Sequence, residues 1–327
     1  MPEDPGYRVS MTAPSRTDSP PTAENGGSRS PLDWLVLAAL VIAWGSGFAG
    51  LKIAVHDIAP AWNTVIRLWV ATGLLWTLCA ARGEALPALL VKGTRRPAPV
   101  WLWYAALGLV GLSLPFFLFA YSAGGLPSAV NAICNGSSPL FTALLSHLLL
   151  PGEKLSLQRA SGVGLGFVGL LVLVGPRMAQ GGSLEVLALS AALTGGLLYA
   201  ASNIITGKAP RVGALAGALM MCLMGAVFAT VLALLTTPVP LVLPPAPALI
   251  SVVALGVFST ALGSVGYVWL VQRRGPVFMS MSIYLAPLWA TGLGVLLLGE
   301  RPGWTAFAAL ALVLAGVGLT TWRGVRR

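Results

Sequence analysis

Asn131, Asn135, Ser138 and Thr142 fall at i, i+4, i+7 and i+11 within an otherwise apolar run. On a helix this spacing puts four polar side chains within about 60° of one face. An unpaired amide in hydrocarbon costs several kcal/mol, so that face meets other helices or water rather than lipid. One hydroxyl is easily satisfied by packing. Two amides in register point instead to the wall of a solute cavity, whose chemistry is recognition rather than bond making. Weaker polar sets accompany them, each as suited to packing as to lining: Tyr199 with Asn203, and Thr260, Ser264 and Tyr267. Ser280, Tyr284 and Thr291 form a further line that Met279, Ile283, Ala286 and Ala290 flank, so the two walls of a central pocket differ and suit an amphiphilic organic solute.

Arg67 lies about seven residues inside a predicted span, where contact with lipid is costly. It either attracts a carboxylate or phosphate on the solute, or snorkels and pairs with helix-end carbonyls. Pro139 and Pro287 sit in mid-span, each removing a backbone N–H. They leave the Asn135 and Ile283 carbonyls without their helical donors and mark hinges or static kinks. The Asp and Glu residues fall in the tail, loops or span ends, so no carboxylate is placed for a deep proton relay. His147 lies off the polar stripe and reads as structural. Glu153 and Glu300 read as helix-end residues paired with a nearby base such as Lys154, Arg159 or Arg301. Solute flux is therefore expected to run down the solute's own gradient or to follow membrane potential. Cys79, Cys134 and Cys222 have no metal or redox spacing and read as packing residues; no cofactor is expected. Protease, hydrolase, P-loop and paired-carboxylate patterns are absent, which argues against an enzyme or a primary pump.

These residues are positioned by a duplicated unit. Leu107-Gly108 precedes Pro139-Leu140 as Leu255-Gly256 precedes Pro287-Leu288, and both copies close on Gly-Glu, at Gly152-Glu153 and Gly299-Glu300. With 56% hydrophobic and 9% charged residues the chain belongs to the membrane class. Ten apolar windows approach the roughly 20 residues that a helix needs to cross a ~30 Å hydrocarbon core: 32–54, 60–81, 100–122, 127–150, 157–175, 184–206, 213–236, 248–271, 276–298 and 303–322. Five spans per copy is odd, so the copies are inverted, and inverted repeats hold solute at their interface. The expected organisation is a disordered cytoplasmic tail (1–31), two five-helix repeats (32–175 and 184–322) and a short cytoplasmic C-terminus (323–327). The net charge of +10 follows topology rather than a nucleic-acid partner: with the N-terminus in the cytoplasm, 16 of 20 Lys and Arg fall on the interior side. Small-residue stripes, Gly162, Gly166 and Gly169 in span five and Ala311, Ala315 and Gly318 in span ten, signal close helix packing in a monomer or a homodimer contact.

Trp44-Gly45-Ser46-Gly47-Phe48, Arg67, the run Pro139 to Leu144 and the two Gly-Glu closures together resemble the EamA type of the drug/metabolite transporter superfamily, over about residues 34 to 322. The resemblance implies an all-α membrane protein of ten helices in inverted repeats around a central cavity, exporting amino acids, their derivatives or drug-like organics across a bacterial inner membrane. An importer or nucleotide-sugar carrier of the same fold, and a non-transporting membrane protein, are the alternatives. Carried over residue by residue, Trp44, Ser46 and Arg67 match family positions and join Asn131, Asn135, Ser138, Tyr199, Asn203, Tyr267 and Tyr284 as candidate solute contacts. Gly195-Gly196-Leu197 departs from the family's frequent Trp-Ala pair, which is expected to enlarge or reshape one side of the pocket.

Overall fold

The computed structural model describes residues 30–91, 96, 98–150, 154–180, 182–279 and 281–321. Of the expected tail, Ser30 and Pro31 are described and open the first helix; residues 323–327 lie outside the described set. Thirteen α-helices stack into ten rods among the described residues. The first two rods are α1 (Pro31–Asp57) and α2 (Pro60–Arg82). The third joins α3 (Pro99–Gly108) to α4 (Leu114–Gly125) through a π-helical turn, Leu109–Ser113. The fourth joins α5 (Ser128–Gly136) to α6 (Ser138–Leu149) across a break at Ser137, and the fifth is α7 (Leu157–Gln180). In the second half, α8 (Ser183–Lys208) and α9 (Ala214–Thr236) precede α10 (Ala246–Ala254), which a π segment, Leu255–Leu262, links to α11 (Gly263–Met279). The last rods are α12 (Met281–Leu298) and α13 (Trp304–Thr321).

Seven rods are long and apolar enough to cross a membrane, and α12 and α13 add shorter apolar stretches, so this is a multi-pass membrane protein. Local chemistry sets the helix ends. Proline opens α1, α2 and α3, where its missing N–H is one that a first turn leaves unpaired in any case. Ser30 and Asp33 form a capping box on α1. Hydroxyls within the spans bond back to their own helix, as Thr72 does to the Leu68 carbonyl and Thr230 to that of Ala226. Span eight runs to Met279, past its expected end, because Arg273 and Arg274 anchor the extension to Asp33 at the start of α1. Met279 thus belongs to α11, where it packs with Leu37, Leu40 and Phe278.

The most extensive contacts join one repeat to the other: α7 with α13, α2 with α9, α4 with α8, α1 with α12, and α3 with α9. Two glycines show why the Leu-Gly pair recurs. A Cβ on Gly108 would lie 2.6 Å from the Gly225 nitrogen on α9, and one on Gly256 would lie 2.8 Å from the Arg67 carbonyl oxygen on α2. The same crossing is made twice, and only glycine fits it. Gly162 and Gly169 likewise meet α13, but at Gly316 and Val313. The expected stripe of Ala311, Ala315 and Gly318 is not the packed face: the two alanines are exposed and Gly318 has open space.

Candidate functional site

A cavity of about 360 Å³ lies between the repeats. Its walls include Trp44 and Phe48 of α1, Arg67 of α2, Phe116 and Phe119 of α4, Asn135 of α5, and Ser138 and Pro139 of α6. The second repeat supplies Tyr199 and Asn203 of α8, Ser259, Thr260 and Ser264 around the π segment, and Ser282, Ala286 and Pro287 of α12. Of the sequence-predicted contacts, Trp44, Arg67, Asn135, Ser138, Tyr199 and Asn203 therefore share one cavity, with both prolines in its wall.

Arg67 is the only charged side chain among the lining residues. It neither snorkels nor finds a helix-end carbonyl. Its Nε donates to Thr260 Oγ1 at 2.8 Å and its Nη2 to Ser259 Oγ at 3.3 Å, while the guanidinium carbon lies 3.8 Å from the centroid of the Phe116 ring. A guanidinium carries five N–H donors, so three are left without a partner among the described residues, and no carboxylate there is within ion-pairing reach. The π segment also turns the Ser259 carbonyl toward α1, where it accepts from Trp44 Nε1 at 3.0 Å. The Ser259–Thr260 pair thus fixes two cavity residues of the other repeat. Sequence offered only the Thr260–Ser264 spacing as a hint; Ser259 went unread because a π segment depends on tertiary contacts, and Ser282, on α12, falls outside every polar line that the spacing picked out.

The asparagine stripe meets three environments, and the break at Ser137 interrupts it between Asn135 and Ser138. Asn131 is 1% exposed and faces inward, accepting from Ser122 Oγ at 2.9 Å and donating to the Phe119 carbonyl at 3.0 Å; it does not reach the cavity. Asn135 and Ser138 do reach it. Thr142 accepts from Asn203 Nδ2 at 3.2 Å. Pro139 accordingly falls in the first turn of α6 rather than in mid-helix, and the Asn135 carbonyl is met by Ser138 Oγ at 2.7 Å. Pro287 lies inside an uninterrupted α12.

Three other candidates are not at the cavity wall. Ser46 Oγ accepts from Trp289 Nε1 at 2.9 Å across the α1–α12 contact. Tyr267 is 46% exposed beside Trp44, their ring centroids 6.2 Å apart. Tyr284 packs against the largest apolar core cluster. The Gly195-Gly196 departure does not enlarge the pocket as expected: a Cβ at Gly195 would lie 3.0 Å from the Phe119 ring, which occupies that space and stacks on Tyr199 at 5.6 Å.

Glu300 pairs across the protein rather than with a neighbour in sequence. Lys52 Nζ lies 3.2 Å from its carboxylate, and the Ser128 N–H and hydroxyl donate to it. Glu153 and Ser280 lie outside the described residues. His147 Nδ1 accepts from the Leu155 N–H at 3.3 Å, which makes it a loop contact. The three cysteines are buried, and no cluster of His, Cys, Asp and Glu suited to a metal occurs among the described residues.

Comparison with known proteins agrees with this architecture. The chain is 26% identical over 289 residues to the "Uncharacterized inner membrane transporter YedA" of Escherichia coli strain K12, covering 87% of this chain and 89% of that one. It is 31% identical over 233 residues to "Protein PecM" of Dickeya dadantii, covering 68% and 75%. It is 28% identical over 297 residues to a protein of Streptantibioticus cattleyicolor named "Probable terminal-alkyne amino-acid exporter", covering 89% and 94%. A solved crystal structure superposes with a TM-score of 0.62 at 23% identity over 90% of this chain and 99% of that one, a likeness of fold. The EamA-like transporter family model matches twice, at residues 32–175 and 185–322. Two tandem matches that fall on the two inverted five-rod repeats make this chain a member of the EamA-like transporter family, a transporter rather than an enzyme.

Proposed function

We propose that the protein is a secondary transporter that exports small organic acids or zwitterions with an apolar body, amino acids and their derivatives foremost, by alternating access between the repeats. The observation that carries this reading is Arg67. A cation held by two hydroxyls and an aromatic face, with no partner for three N–H groups and no carboxylate beside it among the described residues, is suited to bidentate capture of a solute carboxylate. Opposite it, Asn135, Ser138 and Asn203 offer polar contacts, and Phe48, Phe119 and Tyr199 accept the apolar part. A cavity of about 360 Å³ is at the small end of solute sites.

Export across a bacterial inner membrane, with both termini cytoplasmic, is supported by the basic residues that gather on one side and by the names of two relatives, one an inner membrane transporter and one an amino-acid exporter. Pro139 and Pro287 serve as hinges beside the cavity, and the protein works as a monomer or a homodimer. The test is flux from oriented proteoliposomes loaded with a panel of amino acids, their N-acetyl derivatives and their amides. Carboxylate-bearing members are expected to move and amides not; no flux of any member from folded protein would reject transport of this class.

A further inference from the structure

Asn203 faces two spaces. On one side it lines the central cavity; on the other it lines a second chamber of about 300 Å³ together with Thr142, Ser146, Ile204 and Lys208. Where the two meet, Asn203 Nδ2 donates to Thr142 Oγ1 at 3.2 Å, so the shared residue is tied to the wall of the second chamber. Lys208 is the exposed last residue of α8, and Leu150, also in the lining, follows α6. Rods four and six both end on the face where α1 begins, so this chamber leads from the cavity to that membrane surface. Its polar lining is two hydroxyls one helical turn apart, Thr142 and Ser146, together with Lys208. Among the described residues no carboxylate pairs with Lys208.

The wall is also less enclosed than the half-rod that precedes it. In α5, eight of the nine residues are buried, whereas Leu140 is the one buried residue of the twelve in α6. The break at Ser137 separates a buried half-rod from one that is mostly not buried, and the second carries Thr142 and Ser146. A carboxylate held by Arg67 alone would leave slowly, because release into hydrocarbon-walled space is costly; a second cation along the way lowers that barrier.

We propose that this chamber is a second solute station, in which Lys208 with the Thr142 and Ser146 hydroxyls receives the solute carboxylate as it passes between the Arg67 site and the face at which α1 begins. The proposal rests on the organic-acid reading of Arg67, so its test needs no transported solute. The native cysteines are buried and serve as the unlabelled blank. Ser146→Cys in membrane vesicles of known orientation is treated from the α1-start face with 2-sulfonatoethyl methanethiosulfonate, an anion, or its trimethylammonium counterpart. Each rate is normalised to free cysteine. The anionic reagent is expected to react faster by roughly fivefold, the effect of one nearby opposite charge in a wet site, and Lys208→Gln should abolish the preference. Ile204→Cys repeats the measurement should Ser146→Cys fail to insert. Equal rates, or reactivity only from the opposite face, would overturn the station and leave the Arg67 reading standing. Intact anion preference with no carboxylate flux in the proteoliposome panel would do the reverse.

Discussion

The Glu300 carboxylate sits on the N-terminus of α5, accepting from the Ser128 N–H at 2.9 and 3.0 Å and from its hydroxyl at 2.7 Å. A residue of the second repeat thus caps a helix of the first, and the geometry depends on two glycines. Gly299, at φ +64°, turns the chain back toward α5. A Cβ on Gly294 would lie 2.5 Å from the carboxylate. Lys52, which also donates to the Leu126 carbonyl at 2.9 Å, closes the cluster from α1. Three elements are tied at the face opposite the start of α1. At the other end of α1, fully buried Asp33 takes Arg273 and Arg274 of α11.

Glu300→Ala should therefore lower stability. It leaves the Ser128 N–H and hydroxyl without an acceptor, at about 1–3 kcal/mol, and removes a favourable charge from a helix N-terminus, at about 0.3–1 kcal/mol. Glu300→Gln keeps one acceptor oxygen and should cost roughly half as much. Thermal unfolding in detergent micelles measures both. Lys52→Met should cost less in the Glu300→Gln background than alone. An unchanged Tm for Glu300→Ala would show that the cluster contributes nothing to holding α5.

Arg67→Gln should abolish flux of carboxylates while the protein remains folded, because its hydrogen-bond partners are hydroxyls that water can satisfy in a cavity. Arg67→Lys keeps the charge but loses the planar fork, so half-saturation should rise by roughly tenfold. Flux and size-exclusion profiles taken on the same preparations separate loss of transport from loss of fold. Normal carboxylate flux in Arg67→Gln would place the acid-binding group elsewhere.

Asn131 and Asn135 are one turn apart and should respond in opposite ways. Asn131→Leu removes two hydrogen bonds from a dry core, leaving the Ser122 hydroxyl its 3.1 Å bond to the Phe119 carbonyl, and should lower Tm, with a cost of about 1–3 kcal/mol. Asn135→Leu changes a cavity wall, so it should reduce flux with little loss of Tm. The reverse pattern, or the same pattern in both, would mean that the boundary between core and cavity does not fall between them.

That boundary marks the limit of what periodicity reveals. The stripe at Asn131, Asn135, Ser138 and Thr142 is visible as spacing, as are the repeat and nearly all of the spans, because lipid imposes long apolar runs and polar residues stand out against them. Spacing alone gives the stripe one environment, whereas its successive turns meet a core, a cavity and a side chamber. The hydroxyls that hold Arg67 lie 192 and 193 residues away in sequence, on a π segment with no local signature. Lys52 and Glu300 meet only because inverted repeats bring α1 beside the loop after α12. Gly195 reads as an absent aromatic, yet Phe119 from the other repeat fills the space, which only a three-dimensional register discloses.

Energy coupling follows from the same inventory. The described residues lining the cavity include no carboxylate and no histidine, so among them no group that changes charge near neutral pH faces the solute. Arg67 stays with the protein through the cycle, so the charge carried per turnover is that of the solute. A univalent anion should then respond to membrane potential at about 2.3 kcal/mol per 100 mV, a steady-state concentration ratio of roughly fiftyfold, with exit favoured from a negative interior. A zwitterion carries no net charge and should equilibrate to equal concentrations. Proteoliposomes loaded with an N-acetyl amino acid or its parent amino acid, with potential set by potassium and valinomycin at equal pH, measure both arms. The decisive contrast is a pH gradient at zero potential, which should accumulate neither solute. Uphill movement under that gradient would show a proton carrier in the protein, and its loss in His147→Ala or Glu153→Gln would name it.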